Sequence, residues 1–148
     1  MSIRLIAIDI DDTLITDQLV IPNACKQAIA AARAQGVKVV LATGRMLEST
    51  TPFAEELGLT EPLICYNGAL IQSPKSGSPL IHHPIPLELA REIVSLGQSE
   101  NLHVNVYLNG RMYVAEINEY TEFYSSFTKT EAYPVGDLLA YMDREPTK

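Results

Sequence analysis

The chain has 148 residues, 47% of them hydrophobic, and a net charge of −7, which suits a folded domain with a core and argues against general affinity for nucleic acid or anionic membrane. Cys25 and Cys65 lie far apart with no CxxC pattern, so a disulfide framework or zinc site is not expected and each reads as a small buried apolar residue. No signal segment and no apolar run of membrane-spanning length is evident, so a cytoplasmic protein is expected.

The first element is the apolar run Leu5-Ile6-Ala7-Ile8, which reads as a strand buried on both faces, as in a parallel sheet. Asp9-Ile10-Asp11-Asp12-Thr13-Leu14 follows directly, at the strand end where open α/β sheets bind ligands. Asp9 and Asp11 are two apart and project to one side if the extended conformation persists. Clustered carboxylates repel, so this group points to a cation or a proton-transfer task. A polar turn capped by Asp12 or Thr13 is the plainer reading, and one acid alone would favour it.

Pro22 to Gln35 reads as a helix with Gly36 at its C′ position and Cys25, Ala28, Ile29 and Ala32 as its inner stripe. Val37 to Ala42 is a second buried strand, ending in Thr43-Gly44-Arg45. A helix from Leu47 to Leu57 ends at Gly58, with Pro52 blurring its start, and Leu63 to Tyr66 is a third strand ending in Asn67-Gly68. Strands joined by helices in this way imply right-handed parallel crossovers. Ala69–Gln72 and Leu80–His83 flank a turn-rich segment and read as a hairpin.

Beyond Pro84 a second unit is expected. Leu87 to Gln98 reads as a helix, with Leu89, Ile93, Leu96 and Gly97 among its inner positions. His103–Leu108 and Arg111–Ala115 flank Asn109-Gly110, a strong hairpin signal, and a helix follows near Asn118 to Phe127. The terminal stretch Asp143 to Lys148 reads as frayed. His82 and His83 are adjacent and point to opposite strand faces, which is poor ligand geometry.

With Asp9-x-Asp11-x-Thr13 and Ala42-Thr43-Gly44-Arg45 at successive strand ends, and Tyr66-Asn67-Gly68-Ala69 at a third, the chain resembles the haloacid dehalogenase-like (HAD-like) hydrolases, in particular their Cof-type sugar-phosphatase branch. The resemblance implies an α/β fold: a Rossmann-like three-layer core with a parallel sheet over residues 1–83, and the beginning of an α/β cap over 84–148. It further implies a phosphatase acting on small phosphorylated metabolites, sugar phosphates by default. Asp9 would be the nucleophile forming an aspartyl-phosphate, and Asp11 the acid and then the base. Thr43, Gly44 and Asn67 would hold the phosphate, partly through backbone N–H groups at a helix N-terminus. Mg2+ would bind the Asp9 carboxylate and the Asp11 backbone carbonyl. Arg45 is expected to pair with an acid rather than contact substrate.

The family's later lysine and its Gly-Asp-x-x-x-Asp motif find no match; Gly136-Asp137 is followed by Leu138-Leu139-Ala140-Tyr141. The chain therefore resembles the first half of a longer enzyme, as a truncated product or fragment would. Each uncompensated charge pair at 4 Å costs a phosphate about 4 kcal/mol at an effective dielectric of 20, so weak or no turnover is expected from this polypeptide alone.

Two rivals belong to other classes. A receiver domain would end its third strand in aspartate, where this chain has Asn67. A noncatalytic half-fold would self-associate, as a homo-oligomer through exposed core edges, or complement a partner.

Overall fold

The computed structural model describes residues 3–75 and 77–148. The chain forms two compact units, Met1–Ile81 and His82–Lys148. Ser76, inside the expected hairpin turn, lies outside the described residues.

In the first unit, β1 (Leu5–Ile8) pairs in parallel with β2 (Lys38–Leu41), with Leu5 opposite Lys38 and Ile8 opposite Leu41. Between them runs α1 (Asn23–Ala34), which stops where Gly36 takes φ +82°, a left-handed angle that glycine adopts without strain. Of the expected inner stripe only Ile29 is buried, Cys25 and Ala32 are half-buried, and Ala28 is exposed. α2 (Leu47–Glu56) keeps Pro52 in its interior. Thr50 and Thr51 hydroxyls donate to the Met46 and Leu47 carbonyls at 2.8 and 2.9 Å. Arg33 on α1 closes the other end of α2, donating to the Leu57 and Gly58 carbonyls at 2.9 and 2.8 Å.

β3 (Leu63–Cys65) joins β2 through a single parallel bridge between Ala42 and Ile64, and pairs antiparallel with β4 (Leu70–Gln72). The third strand is thus less fully paired to its parallel neighbour than the sequence implied, because both chains turn out of the sheet immediately after this bridge. β5 (Ile81–His82) completes a three-stranded sheet in the order β3-β4-β5, which realises the expected hairpin. Burial concentrates on β2 and β3, where Val39, Leu41, Leu63 and Cys65 are inaccessible. β1 departs from the expectation of a strand covered on both faces: Leu5 is 54% exposed and Ala7 is also open to solvent. An uninterrupted apolar run records what a strand can tolerate, and among the described residues only one flank of β1 is covered.

The second unit begins with α3 (Leu87–Ser99), followed by the hairpin β6 (Val106–Leu108) and β7 (Arg111–Val114). Asn109 and Gly110 take φ 49° and 72°, the left-handed pair that a two-residue hairpin turn requires. α4 (Glu119–Thr128) starts at Asn118, whose side chain accepts from the Thr121 N–H at 3.1 Å. Two elements were not foreseen: β8 (Ala132–Pro134), parallel to β7, and the short α5 (Leu138–Tyr141), capped by Asp137. Asp137 accepts from the Leu139 and Ala140 N–H groups at 2.8 and 3.3 Å, a purely structural task.

α3 buries Gly97, as expected, but it is rotated by about one residue from the rest of the expected stripe. Ala90, Val94 and Gly97 are buried against Val106, Leu108, Tyr113 and Leu138, while Leu89, Ile93 and Leu96 are 48, 50 and 63% exposed. Small residues decide this, since a Cβ on Gly97 would lie 2.5 Å from the Val104 side chain. α4 likewise turns Thr121 and Thr128 inward and leaves Tyr120 and Phe123 61 and 75% exposed. The terminal stretch is ordered by backbone bonding rather than frayed. Tyr107 N–H donates to the Lys148 carbonyl at 2.9 Å, Thr147 N–H to Tyr107 at 2.8 Å, and Ile85 N–H to Pro146 at 2.8 Å. His82 contacts the Thr147 hydroxyl at 3.0 Å, and His103 lies between Asn105 and Asn118, so neither belongs to a cluster of metal-ligating side chains.

Candidate active site

Three strand ends meet in the first unit. After β2, Thr43 N–H donates to the Ile64 carbonyl at 2.9 Å, which locks that loop to β3. After β3, Tyr66 and Asn67 turn left-handed at φ 50° and 56°, with Gly68 at 97°. Their N–H groups donate back to the Arg45 and Thr43 carbonyls at 2.9 and 3.0 Å. The two loops are therefore one hydrogen-bonded platform, and positive φ at Asn67 is a conformation asparagine tolerates better than most residues.

A cleft of about 360 Å³ opens there, lined by Asp9, Ala42, Thr43, Gly44, Ile64, Asn67 and Gly68. Thr43 is buried, and its Oγ1 accepts from the Arg45 N–H at 3.2 Å, so the hydroxyl hydrogen can point elsewhere. It does not cap α2, which begins at Leu47 with Met46 at the N-cap. The helix N-terminus expected to meet phosphate lies outside the cleft lining; the loop after β2 contributes residues 42–44 instead. Gly44 lets Asn67 close in, for a β-carbon at this position would stand 2.9 Å from Asn67 Oδ1.

The two leading acids part company. Asp9 and Asp11 keep extended backbone angles, but Ile10–Leu14 as a whole forms a turn closed by Ile15 N–H donating to the Ile10 carbonyl at 3.2 Å, with Asp12 left-handed at φ 56°. Ile10 is buried, Asp9 is exposed on the cleft, and Asp11 is not among the lining residues. Asp11 instead meets Arg45. Nε donates to Oδ1 and Oδ2 at 3.1 and 2.9 Å, and Nη2 to Oδ1 at 2.7 Å. This is the ion pair expected of Arg45, in the forked form that suits guanidinium and carboxylate. The Arg45 side chain is 3% exposed against 28% for Asp11, and its guanidinium sits 5.5 Å from the Phe53 ring centre.

Magnesium takes one or two carboxylates and completes its shell with water and phosphate oxygens. Asp9 fits as such a ligand, being an exposed carboxylate on a cleft also lined by the buried Thr43. No cluster of three or more His, Cys, Asp or Glu able to hold a metal occurs among the described residues, so an all-protein cage is not what this site offers. Cys65, behind the platform, plays no part: burial pushes its thiol up to about 11, against a weaker opposing hydrogen bond from Thr50.

Carboxylate, threonine and asparagine at three successive strand ends are the geometry expected from the motifs, and the profile of the haloacid dehalogenase-like hydrolases matches residues 6–148. The chain belongs to that family. It is 30% identical over 112 residues to the pyridoxal phosphate phosphatase YbhA of Escherichia coli, covering 76% of this chain and 41% of that one. It is 31% identical over 100 residues to the 5-amino-6-(5-phospho-D-ribitylamino)uracil phosphatase YitU of Bacillus subtilis, covering 67% and 37%. Among solved structures, TM0651 from Thermotoga maritima superposes with a TM-score of 0.78 at 25% identity, over 98% of this chain and 54% of that one. The fold of the subclass IIB sugar phosphatase BT4131 matches with a TM-score of 0.82 at 21% identity, over 97% and 56%. The chain spans about half the length of the curated relatives it matches, or less: 41% of YbhA and 37% of YitU.

Proposed function

We propose that this HAD-like chain carries the nucleophile side of a magnesium-dependent phosphatase for small phosphorylated metabolites, with sugar phosphates the default class. The observation that supports this reading is the convergence of Asp9, Thr43, Gly44 and Asn67 on one cleft. The substrates in the relatives' names, pyridoxal phosphate and a phosphoribitylaminouracil, are likewise small phosphate esters.

In this reading an Asp9 oxygen attacks phosphorus, forming the aspartyl-phosphate as the bond to the ester oxygen breaks. Asp11 gives its proton to the departing alcohol, then takes one from the water that attacks phosphorus and releases inorganic phosphate from Asp9. The Thr43 hydroxyl donates to a phosphoryl oxygen, Gly44 leaves room for it, and the Asn67 side chain borders the same space. The Asp9 carboxylate and the Asp11 backbone carbonyl would hold magnesium, which when bound draws charge from the phosphoryl oxygens. Residues 1–83 would then be part of the catalytic core and 84–148 the start of a substrate-selecting cap, with turnover by this polypeptide alone slow.

The test is hydrolysis of p-nitrophenyl phosphate with and without magnesium, beside binding of beryllofluoride, which mimics a phosphoryl group on aspartate. Slow, magnesium-dependent hydrolysis and beryllofluoride binding are both expected, and both should vanish in Asp9→Asn. Hydrolysis that survives in Asp9→Asn would refute the assignment.

A further inference from the structure

We propose that the second unit carries a binding pocket for an uncharged planar heterocycle, of the kind found in a free nucleoside, stacked on the pair His103 and Tyr120. The inference is independent of the phosphatase reading above, because every residue it uses lies from Gln98 to Leu138.

The pocket has a volume of about 360 Å³ and opens between the end of α3, the segments flanking the β6–β7 hairpin and the start of α4. That volume falls within the ~300–1,000 Å³ typical of small-ligand sites. Leu138, buried, and Val104, half-buried, give it an apolar lining. The rings of His103 and Tyr120 stack there, with centroids 5.8 Å apart and planes 24° from parallel. Hydrogen bonds fix the imidazole. Asn118 Oδ1 accepts from the Thr121 N–H at 3.1 Å, so its Nδ2 donates to His103 Nδ1 at 3.3 Å. The ring hydrogen then sits on Nε2, which donates to Asn105 Oδ1 at 2.9 Å. Both ring nitrogens are thus occupied, and what the stacked pair offers a ligand is flat ring surface.

Gln98, Asn101 and Glu116 also line the pocket, and their side chains have no hydrogen-bond partner among the described residues. The two amides each offer donors and an acceptor, and the carboxylate accepts. That set matches the edge of a heterocycle, where ring nitrogens, carbonyls and amino groups supply acceptors and donors in one plane. Tyr120 and Leu102, 61 and 64% exposed, supply apolar surface that the faces of such a ring would cover. No lysine or arginine lines the pocket, so a phosphate group finds no counter-charge there and meets repulsion from Glu116.

The experiment titrates the intact chain with adenosine and with cytidine, followed through the His103 ring and the Gln98 and Asn101 side-chain amide signals in its magnetic resonance spectra. Saturable shifts at these groups are expected with either nucleoside, with the 5′-monophosphate binding no tighter and ribose alone giving none. Tyr120→Ala should weaken binding about tenfold, as loss of a base–aromatic stack does. Phe123→Ala removes an aromatic of comparable exposure on the same helix, outside the pocket, and should leave binding unchanged. Absence of saturable shifts in the wild-type chain, or equal losses in the two variants, would overturn the proposal. Ribose binding as tightly as the nucleosides would overturn the heterocycle as the recognised group. Asp9→Asn should keep nucleoside binding while losing hydrolysis, so failure of the pocket and failure of the phosphatase reading are told apart.

Discussion

Replacing Gly44 with alanine tests how tightly the two loops of the cleft are closed. The added methyl would stand 2.9 Å from Asn67 Oδ1, well inside the ~3.5 Å at which dispersion contacts are favourable. Asn67 can yield only by turning its side chain, since its backbone is held at φ 56° with its N–H bonded to the Thr43 carbonyl at 3.0 Å. Overpacking of this kind costs about 1–3 kcal/mol. Gly44 is not among the glycines at positive φ, so alanine also narrows the unfolded ensemble, a gain of about 0.4–1 kcal/mol. The net expectation is a loss of about 1–2 kcal/mol. Asn67→Gly removes the obstructing oxygen while tolerating the left-handed backbone, so the methyl should become nearly harmless in the double variant. The four chains, unfolded in urea and followed by far-ultraviolet circular dichroism, should give a coupling of about 1 kcal/mol. Additivity within about 0.3 kcal/mol, or a Gly44→Ala chain as stable as the parent, would refute the reasoning.

Two further outcomes follow from burial. Cys65 is inaccessible and its thiol is pushed from 9.0 up to about 11 by desolvation, so the unfolded chain loses that proton first as pH rises. Its stabilising contribution is therefore complete below pH 9.0 and declines toward about 11, by roughly 2–3 kcal/mol in all. The stability difference between the parent and Cys65→Ala, measured by urea melts from pH 8 to 11, should fall across that window; a flat difference would contradict the burial argument. In the second unit, a Cβ on Gly97 would lie 2.5 Å from Val104. Gly97→Ala should lower the thermal midpoint although alanine is the better helix former by about 0.5–1 kcal/mol, and Val104→Ala should restore it. A Gly97→Ala chain more stable than the parent would show that α3 has room to shift.

The elements most legible in the sequence were those with punctuation that admits one conformation. Gly36, Gly58 and the Asn109-Gly110 pair all sit at positive φ where the chain turns. Helix faces were harder to read. On α3, Gly97 is inward as expected, but Leu89, Ile93 and Leu96, grouped with it by size and spacing, are exposed, and Ala90 and Val94 are buried instead. The choice was made by proximity, because only the small-residue face can approach Val104 and the hairpin. β8 was missed because it is short, ends in Pro134, and gains its strand character only from pairing with β7. At the site, strand-end positions brought Asp9, Thr43, Gly44 and Asn67 to one cleft, since such ends adjoin in any parallel arrangement. The separation of Asp9 from Asp11 could not be read from spacing, for it depends on the turn at Ile10–Leu14 and on Arg45, 34 residues away.

That separation changes the electrostatics of the cleft. With both carboxylates uncompensated, an incoming phosphate would face two repulsive pairs, each worth about 4 kcal/mol at 4 Å and an effective dielectric of 20. Arg45 neutralises Asp11 at 2.7 Å, so Asp9 is the one carboxylate on the cleft lining among the described residues. A single divalent cation on Asp9 would more than offset it and leave the cleft locally positive despite the chain's overall charge of −7.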